Sequence, residues 1–491
     1  MIVAVAAGCP VLDNRCYCHY VSTALHVTCS NMGQLGQVPA FHVSHGQTET
    51  MLFNNNTSIV QLQTQAFAYV KTRHLTLRGL DITVVDHLAF GGLEQIVISI
   101  DLGHNNISLV PYDTFFRLTR LATLKLDSNQ IAVLDLSTFS SMSQLQHVDL
   151  SSNSLQHLPS AIFRDLINMQ TLRLQRNSLV AIPEGQLANL RNLEELDLSD
   201  NRLTVISSVT FASLSNLKCL SLSENNITGS LTSSFLLHLR NITKLNVSRN
   251  NISALSLDAL HACWQLVVVD LSSNRISSLD ADSFLAVTSP RVLDLNANSP
   301  TTVLPSTFQA LADLRHLRLS KNGLHSIPPQ TFIRNSRLEF LDLSFNLINS
   351  IPDNLFSMNS SLVSLDLSHN VLTNVRRFLL NVSSLRHLVI SSNFLSQLRL
   401  PVFRNLVNIV YFDVRENRLE DQLDGRLLSW LPRLEEFLID RNNVTGVRLQ
   451  GPSVRLVRLT MLSNALTELP RLFQAPKLER LDVNNNYTSA R

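Results

Sequence analysis

The alternation of His147, Asp149 and Ser151 is the stretch whose residue types come nearest to a catalytic set. These are the types found in serine hydrolases, where an imidazole lies between the nucleophilic hydroxyl and the carboxylate. In an extended strand the three side chains share one face, but Asp149 then lies in the middle and His147 is about 13 Å from Ser151. This order along the strand predicts no hydrolase.

Histidines provide the candidates for a metal site. His42 and His45 form an isolated H-x-x-H, which is a weak ligand pattern. His316 and His387 fall three repeats apart in the periodicity described below, about 14 Å at strand spacing, and cannot share one ion. No phosphate-binding glycine loop or other cofactor motif is present in the sequence. We predict that the protein is not an enzyme and holds no cofactor or metal.

Four of the six cysteines lie near the start of the chain, at Cys9, Cys16, Cys18 and Cys29. A structural zinc site usually takes two C-x2-4-C pairs, whereas this segment has a single C-x-C, so disulfides are the favoured interpretation. Disulfides indicate an oxidising compartment. Cys219 and Cys263 fall in repeats too far apart for an S–S bond. We expect both to be unbridged and at least partly buried.

The elements that would position these residues follow from a periodic L-x-L-x-x-N pattern. Its asparagines recur at steps of 22 to 25 residues and occupy positions 105, 129, 153, 177, 201, 225, 250, 274, 298, 322, 346, 370, 393, 417, 442, 464 and 486. Ten residues after each position an aromatic residue recurs, at Phe90, Phe115, Phe139, Phe163, Phe211, Phe235, Phe284, Phe308, Phe332, Phe356 and Phe403, with Leu187, Leu260 and Leu427 elsewhere. With two earlier positions, at Asn56 and Leu80, the chain contains about 19 repeats.

Each repeat predicts one short strand, because L-x-L turns both leucines to the same side. Successive strands would stack in parallel about 4.8 Å apart. The asparagine carries both donors and an acceptor, so it can satisfy the buried turn of its own repeat and of a neighbour. We therefore interpret the structural ladder Asn105, Asn129, Asn153, Asn177, Asn201, Asn225, Asn250, Asn274, Asn298, Asn322, Asn346, Asn370, Asn393, Asn417, Asn442 and Asn464 as architecture and not as chemistry. The phenylalanines would stack as a buried spine.

The repeat resembles that of extracellular leucine-rich repeat (LRR) proteins of animals, such as chaoptin-like adhesion proteins, Slit and Toll-type ectodomains. The resemblance implies an α/β solenoid of horseshoe shape, with a parallel β-sheet on the concave face and loops and short helical turns on the convex face. It implies an N-terminal cysteine flanking cap over residues 9–40, with Cys9 bonded to Cys18 and Cys16 to Cys29. Residues 41–491 would form the array. We expect residues 1–8 to be the remnant of a signal peptide and the array to be C-terminally truncated.

Sequons support an extracellular location, secreted or at the cell surface. Sequons also occur at Asn55, Asn56 and Asn486, and we expect Asn56 and Asn486 to be buried or poorly used because they hold ladder positions. The predicted glycosylation sites are Asn106, Asn226, Asn241, Asn246, Asn251, Asn359, Asn381 and Asn443.

Charge and hydropathy limit the class of partner. The chain has 40 Lys+Arg against 38 Asp+Glu, so it lacks the basic excess of a nucleic-acid-binding protein. No run of 18 apolar residues predicts membrane insertion in this segment. We expect the partner to be another protein, secreted or at a cell surface, with homo-oligomerisation as a possibility. Adhesion, matrix organisation and receptor recognition are the implied roles; the alternatives are a soluble secreted carrier or inhibitor and an intracellular LRR scaffold.

The partner-binding surface is predicted on the concave face. Aspartates recur there, and we attribute them to the L-D-L-S habit of the repeat in preference to an acidic binding stripe. A glycan at Asn246 would block the middle of the sheet and direct a partner to later repeats. Later strands present aromatic and charged residues of the kind that anchor interfaces, Arg318, Phe340, His387, Tyr411, Arg415, Glu436, Asp440 and Arg458. We expect Tyr411→Ala with Arg415→Ala to weaken binding and leave folding intact.

Overall fold

The computed structural model describes residues 16–30, 48–54, 59–256, 259–279, 283–285, 287, 289–300, 302–398, 400–423, 426–447, 455–469 and 475–487. Short strands recur once per repeat, and the predicted LRR solenoid with a parallel sheet is confirmed. The chain divides into an N-terminal unit, Met1–Thr228 with Ser234–Asn246, and a C-terminal unit, Gly229–Ser233 with Val247–Arg491.

Most strands are three residues long. They are β1 Cys16–Val21, β2 Ala24–Ser30, β3 Thr48–Asn54, β4 Gln61–Leu62, β5 Thr72–Thr76, β6 Val84–Val85, β7 Ser99–Asp101, β8 Thr123–Lys125, β9 His147–Asp149, β10 Thr171–Arg173, β11 Glu195–Asp197, β12 Cys219–Ser221, β13 Thr228–Leu231, β14 Lys244–Asn246, β15 Asn251–Leu255, β16 Val268–Asp270, β17 Val292–Asp294, β18 His316–Arg318, β19 Phe340–Asp342, β20 Ser364–Asp366, β21 His387–Val389, β22 Tyr411–Asp413, β23 Glu420–Leu423, β24 Glu436–Leu438, β25 Asn443–Val447, β26 Arg458–Thr460 and β27 Arg480–Asp482. Helix is scarce in the described ranges: α1 Ser233–Leu236, α2 Arg426–Trp430 and the 3-10 turns Arg377–Asn381 and Leu400–Val402.

In the N-terminal unit, β1 and β2 form an antiparallel hairpin, and β2 pairs in parallel with β3. Parallel pairing then continues through β5, β7, β8, β9, β10, β11, β12 and β14. In the C-terminal unit, β16 to β22 pair in order, followed by β24, β26 and β27. Each strand thus pairs with the strand of the next repeat in its unit.

The core lies directly behind the sheet. Leu196 and Leu198 of β11 and its extension are about 1% exposed or less. The phenylalanines stack in ring pairs, with centroids 6.2 Å apart for Phe139 and Phe163. Leu187, Leu260 and Leu427 are buried at the equivalent places. Phe235 departs from this pattern, since it is half-buried and meets Phe211 edge-on.

The asparagine of each repeat joins two turns through its side-chain amide. Nδ2 of Asn201 donates to the carbonyls of Leu198 and Ser199 in its own repeat and of Leu174 in the preceding one. Its Oδ1 accepts from the backbone N–H of Leu179, at 3.0 Å. One compact side chain therefore satisfies four backbone polar groups in two adjacent turns.

Asn322 shows what happens when the usual donor is absent. The residue in the donor position of the preceding repeat is Pro300, which has no N–H. Oδ1 of Asn322 accepts from the backbone N–H of Asn298, at 2.8 Å, a contact that Asn346 makes in addition to its usual one. The acceptor therefore keeps a partner despite the proline.

The residue immediately before each ladder asparagine is left-handed, with φ between 51° and 57° from His104 to Asn485. None of these residues is glycine, and the conformation costs roughly 1–2 kcal/mol for an L-residue. The tight turn in front of the asparagine compels it. The residue type does not predict this conformation, because the position holds Ser, Asp, Glu, Arg, Lys, His, Phe, Ala and Asn alike.

Candidate protein-binding face

The open sheet face consists of the first and third side chains of each three-residue strand. In β19, Phe340 and Asp342 are half-buried on this face, while Leu341 between them is buried in the core. Parallel register places equivalent positions of adjacent repeats side by side, so residues about 24 positions apart become neighbours.

Aspartates on this face cap the turn that follows the strand. In each, Oδ1 accepts from the backbone N–H of the serine two residues on, at 2.8–3.0 Å, and from its hydroxyl, at 2.6–2.7 Å. The pairs are Asp149–Ser151, Asp197–Ser199, Asp270–Ser272, Asp342–Ser344 and Asp366–Ser368. A local structural role therefore explains why aspartate recurs with serine.

The same contacts bear on the possible catalytic set. The Ser151 hydroxyl donates to Asp149 at 2.6 Å, and His147 precedes both on the strand. The hydroxyl is hydrogen-bonded to a carboxylate and not to an imidazole, so it lacks the general base that activates the serine of a hydrolase. Within the described ranges, no three His, Cys, Asp or Glu side chains converge as metal ligands. His42 and His45 lie outside the described residues.

Four predicted partner-binding residues come together on strands β21 to β26. The ring centroids of His387 and Tyr411 are 6.3 Å apart, and Tyr411, Glu436 and Arg458 are neighbours in register. A guanidinium nitrogen of Arg458 lies 3.5 Å from the Glu436 carboxylate. Burial raises the pKa of Tyr411, with Asp413 adding to the effect, so its phenol is neutral at physiological pH.

Arg318 and Phe340 form a second group, on β18 and β19. The Arg318 guanidinium lies 5.8 Å from the centre of the Phe340 ring and donates to Asp294 at 3.1 Å. His316, on the same strand as Arg318, also stacks with that ring, with centroids 5.9 Å apart. Only β20, which presents Ser364, separates this group from His387.

Arg415 is held by the protein itself, which corrects one expectation. Its Nε and Nη2 donate to the two carboxylate oxygens of Asp413, at 3.0 and 2.7 Å, and the Asp413 side chain is 2% exposed. The hydrogen bonds to Asp413 raise the pKa of Arg415. Replacing Arg415 by alanine would leave a buried carboxylate unpaired, so that variant would not leave folding intact.

Asp440 also has internal partners. Its carboxylate accepts from the Thr460 hydroxyl at 2.8 Å and from the Leu462 backbone N–H at 2.7 Å. A polar cleft of about 550 Å³ lies beside it, lined by Arg415, Asp440 and Arg441 among others. Both carboxylate oxygens of Asp440 therefore already accept hydrogen bonds from within the protein.

An aromatic pair that sequence reasoning missed lies at the edge of the face. Phe345 is 47% exposed, stacks on His369 with centroids 3.9 Å apart, and has the Lys321 ammonium 5.4 Å from its ring. All three occupy the left-handed position before the asparagine. The signal in the sequence that could have located this pair is Phe345 itself, an aromatic residue between Ser344 and Asn346 in the turn.

The described cysteines fall into a disulfide-bonded group and an unbridged group. Cys16 and Cys29 are disulfide-bonded across the β1–β2 hairpin, where they are register partners. Cys18 is also disulfide-bonded, and its expected partner, Cys9, lies outside the described residues. Cys219 and Cys263 form no disulfide; Cys219 is half-buried and Cys263 is buried.

Exposure separates the predicted glycosylation sites. Asn226, Asn359 and Asn443 are exposed, whereas Asn106, Asn241, Asn246, Asn251 and Asn381 are half-buried. Nδ2 of Asn241 donates to the Ser215 carbonyl at 2.9 Å, so this amide has a structural contact. Ser221 and Asn246 are register partners, which puts Asn246 in the third strand position on the open face. Asn55 and Asn56 lie outside the described residues.

The chain belongs to the leucine rich repeat family, which matches residues 70–131, 119–179, 167–227, 264–324 and 314–372, together more than half of the sequence. No curated protein sequence matches the chain. None of the helices in the described part has the length and hydropathy of a membrane-spanning segment.

Solved structures share this fold. An LRR protein of Leptospira interrogans is 25% identical, with a TM-score of 0.67 over 76% of this chain and 91% of its own. Toll in the Drosophila Toll–Spatzle complex is 19% identical, with a TM-score of 0.72 over 90% of this chain and 64% of its own. The ectodomain of the Arabidopsis thaliana receptor kinase GASSHO1/SCHENGEN3 is 23% identical, with a TM-score of 0.59 over 92% of this chain and 57% of its own. The chain thus spans less than two thirds of the Toll and plant receptor chains.

Proposed function

We propose that this protein is a non-catalytic extracellular solenoid that binds another protein through the open sheet face of its C-terminal unit. The observation that carries the proposal is the row of His316, Phe340, His387 and Tyr411, half-buried to exposed on strands β18, β19, β21 and β22. Aromatic and arginine side chains of this kind supply most of the binding energy in protein interfaces.

The structural neighbours support a protein ligand. Toll was solved in complex with Spatzle, and GASSHO1/SCHENGEN3 in complex with CASPARIAN STRIP INTEGRITY FACTOR 2. Since fold alone does not fix function, these complexes indicate the class of ligand and not its identity. Adhesion, matrix organisation and receptor recognition all fit this class.

An extracellular location is part of the proposal. The Cys16–Cys29 bridge supports it, because structural disulfides persist in oxidising compartments. We take residues 9–40 as the N-terminal flanking cap of an array over 41–491, with Cys9 bonded to Cys18, as in animal extracellular LRR proteins. The bridge disfavours an intracellular scaffold. A secreted carrier or inhibitor would use the same face and is separated from a receptor by how the full protein is anchored.

A pair of matched glycan insertions tests the face. Val389→Asn creates the sequon Asn-Ile-Ser in the third position of β21, the strand that carries His387. Ser221→Asn creates Asn-Leu-Ser in the same position of β12, in the N-terminal unit. Neither substitution alters charge, and both place the glycan on the open face.

The labelled protein, secreted from animal cells, is applied to cells and tissue of the organism that makes it. We expect Val389→Asn to abolish surface binding and Ser221→Asn to retain it. Glycan occupancy is checked by mass spectrometry of the same samples. Equal binding by the two occupied variants would contradict the proposed face.

A further inference from the structure

We propose that the surface between Phe340 and His387 is a notch that receives a lysine or arginine side chain from a basic, extended segment of the partner protein. This inference rests on the proposed protein-binding function and specifies the chemistry of the partner. The notch comprises Phe340, Ser364, His387, Asp342 and Asp366.

Register forms the walls of the notch. Phe340 pairs with Ser364, and Ser364 pairs with His387, so the two rings stand two strands apart, roughly 10 Å. The small serine between them leaves a gap with one aromatic ring on each side. An ammonium or guanidinium group in such a gap is attracted by the ring quadrupoles.

Two carboxylates line one side of the notch. Asp342 and Asp366 are adjacent in register and half-buried. In the part of the chain that the structure describes, no lysine, arginine or histidine forms an ion pair with either one. The aspartates at flanking repeats differ, because Asp294 binds Arg318 and Asp413 binds Arg415. The aspartates on both sides of the notch therefore have an arginine of the protein as partner, whereas the two aspartates in the notch do not.

Arg318 provides an internal precedent for the occupant. Its guanidinium contacts the Phe340 ring and a third-position aspartate, Asp294, at the same time. A cation in the notch would combine the same two partners, a ring of the first strand position and an aspartate of the third. The protein thus already uses this pairing one strand away.

Charge distribution favours a basic segment over a neutral or acidic one. On strands β16 to β22, the third positions hold Asp270, Asp294, Asp342, Asp366 and Asp413 against one arginine, Arg318, although the whole chain is +2. Burial raises the pKa of Asp366, and the charges of Asp342 and Asp413 raise it further. A bound cation would relieve this repulsion, which gives a basic partner an electrostatic advantage.

The test measures binding of a fluorescent peptide of about ten residues, alternating arginine and glycine, to the intact protein by anisotropy at physiological salt. Asp342→Ser with Asp366→Ser removes the carboxylates; serine keeps a short acceptor and, unlike asparagine, creates no sequon. Asp149→Ser with Asp197→Ser is the matched control, since these aspartates cap the same turn in the N-terminal unit. A peptide with glutamate in place of arginine checks the sign of the charge.

We expect the first double variant to weaken arginine-peptide binding about tenfold, as loss of charge-assisted contacts implies, and the control to change it less than about twofold. Phe340→Leu, which keeps an apolar side chain but removes the ring face, should weaken binding about threefold. It also serves as the independent variant if the double aspartate variant has a lowered thermal midpoint.

Absence of arginine-peptide binding by the unmodified protein, or an equal loss in the two double variants, would overturn the notch. Failure of the notch is distinguishable from failure of the proposed function. If Val389→Asn abolishes cell binding while the aspartate variants behave alike, the face binds a partner of different chemistry. If Val389→Asn has no effect, the face itself is wrong.

Discussion

Replacing Asn201 by alanine tests the ladder quantitatively. Asn201 is 9% exposed, and its Oδ1 is the hydrogen-bond acceptor of the fully buried Leu179 N–H. Alanine leaves that N–H without a partner, at a cost of about 1–3 kcal/mol. The carbonyls of Leu174 and Leu198 keep one donor each, from Asn177 and Asn225.

Each of the two carbonyls therefore loses one of two donors and stays hydrogen-bonded, and we assign about 0.5–1.5 kcal/mol in total to this loss. Together these effects lower the free energy of unfolding by about 1.5–4.5 kcal/mol. Asn216→Ala is the control, because Asn216 is exposed and its amide makes a single contact, with the Arg191 carbonyl at 3.0 Å. We expect the control to change stability by less than about 0.5 kcal/mol.

The assay is urea unfolding combined with amide hydrogen exchange. In a repeat protein a local defect uncouples neighbouring repeats, so exchange should accelerate first around Leu179. Equal unfolding midpoints for Asn201→Ala and Asn216→Ala would refute the view that the amide is an architectural link. If amide exchange accelerates far from Leu179 but not near it, the unpaired Leu179 N–H is not the main source of the lost stability.

Two further predictions concern the cysteines and Gly103. Burial raises the pKa of the Cys263 thiol to about 12, so it is protonated at pH 8 and should resist iodoacetamide in the native protein, while half-buried Cys219 reacts; equal labelling rates by mass spectrometry would contradict this, and labelling after denaturation is the control. Arg78 and Asp127 form an ion pair beside Gly103. A Cβ at position 103 would overlap Nη1 of Arg78 and lie 2.5 Å from Oδ1 of Asp127. Gly103→Ala should therefore break the Arg78–Asp127 pair and lower the free energy of unfolding by about 1–3 kcal/mol. The same substitution in an Arg78→Ala background should cost much less, and additive effects would show that the pair is not the target.

The repeat alone determined the architecture. A period near 24, with two inward leucines and an asparagine, requires a strand and a turn in every copy, and the parallel sheet follows because each copy can bury its apolar face only against the next. The Cys16–Cys29 bridge could likewise be named from the cysteine spacing and the family resemblance. Periodicity also located the open face, since residues flanking L-x-L must turn outward.

Contacts between outward side chains were decided only by tertiary structure. The sequence predicted Arg415 and Asp440 as partner-binding residues but did not show their internal partners, buried Asp413 for Arg415 and Thr460 for Asp440. It gave no indication of the left-handed residue in each turn or of the contact between the Asn298 N–H and Asn322. The physical reason is that the period fixes which backbone positions are adjacent. Which of several neighbouring groups a long side chain binds depends on rotamers, burial and competing partners in three dimensions.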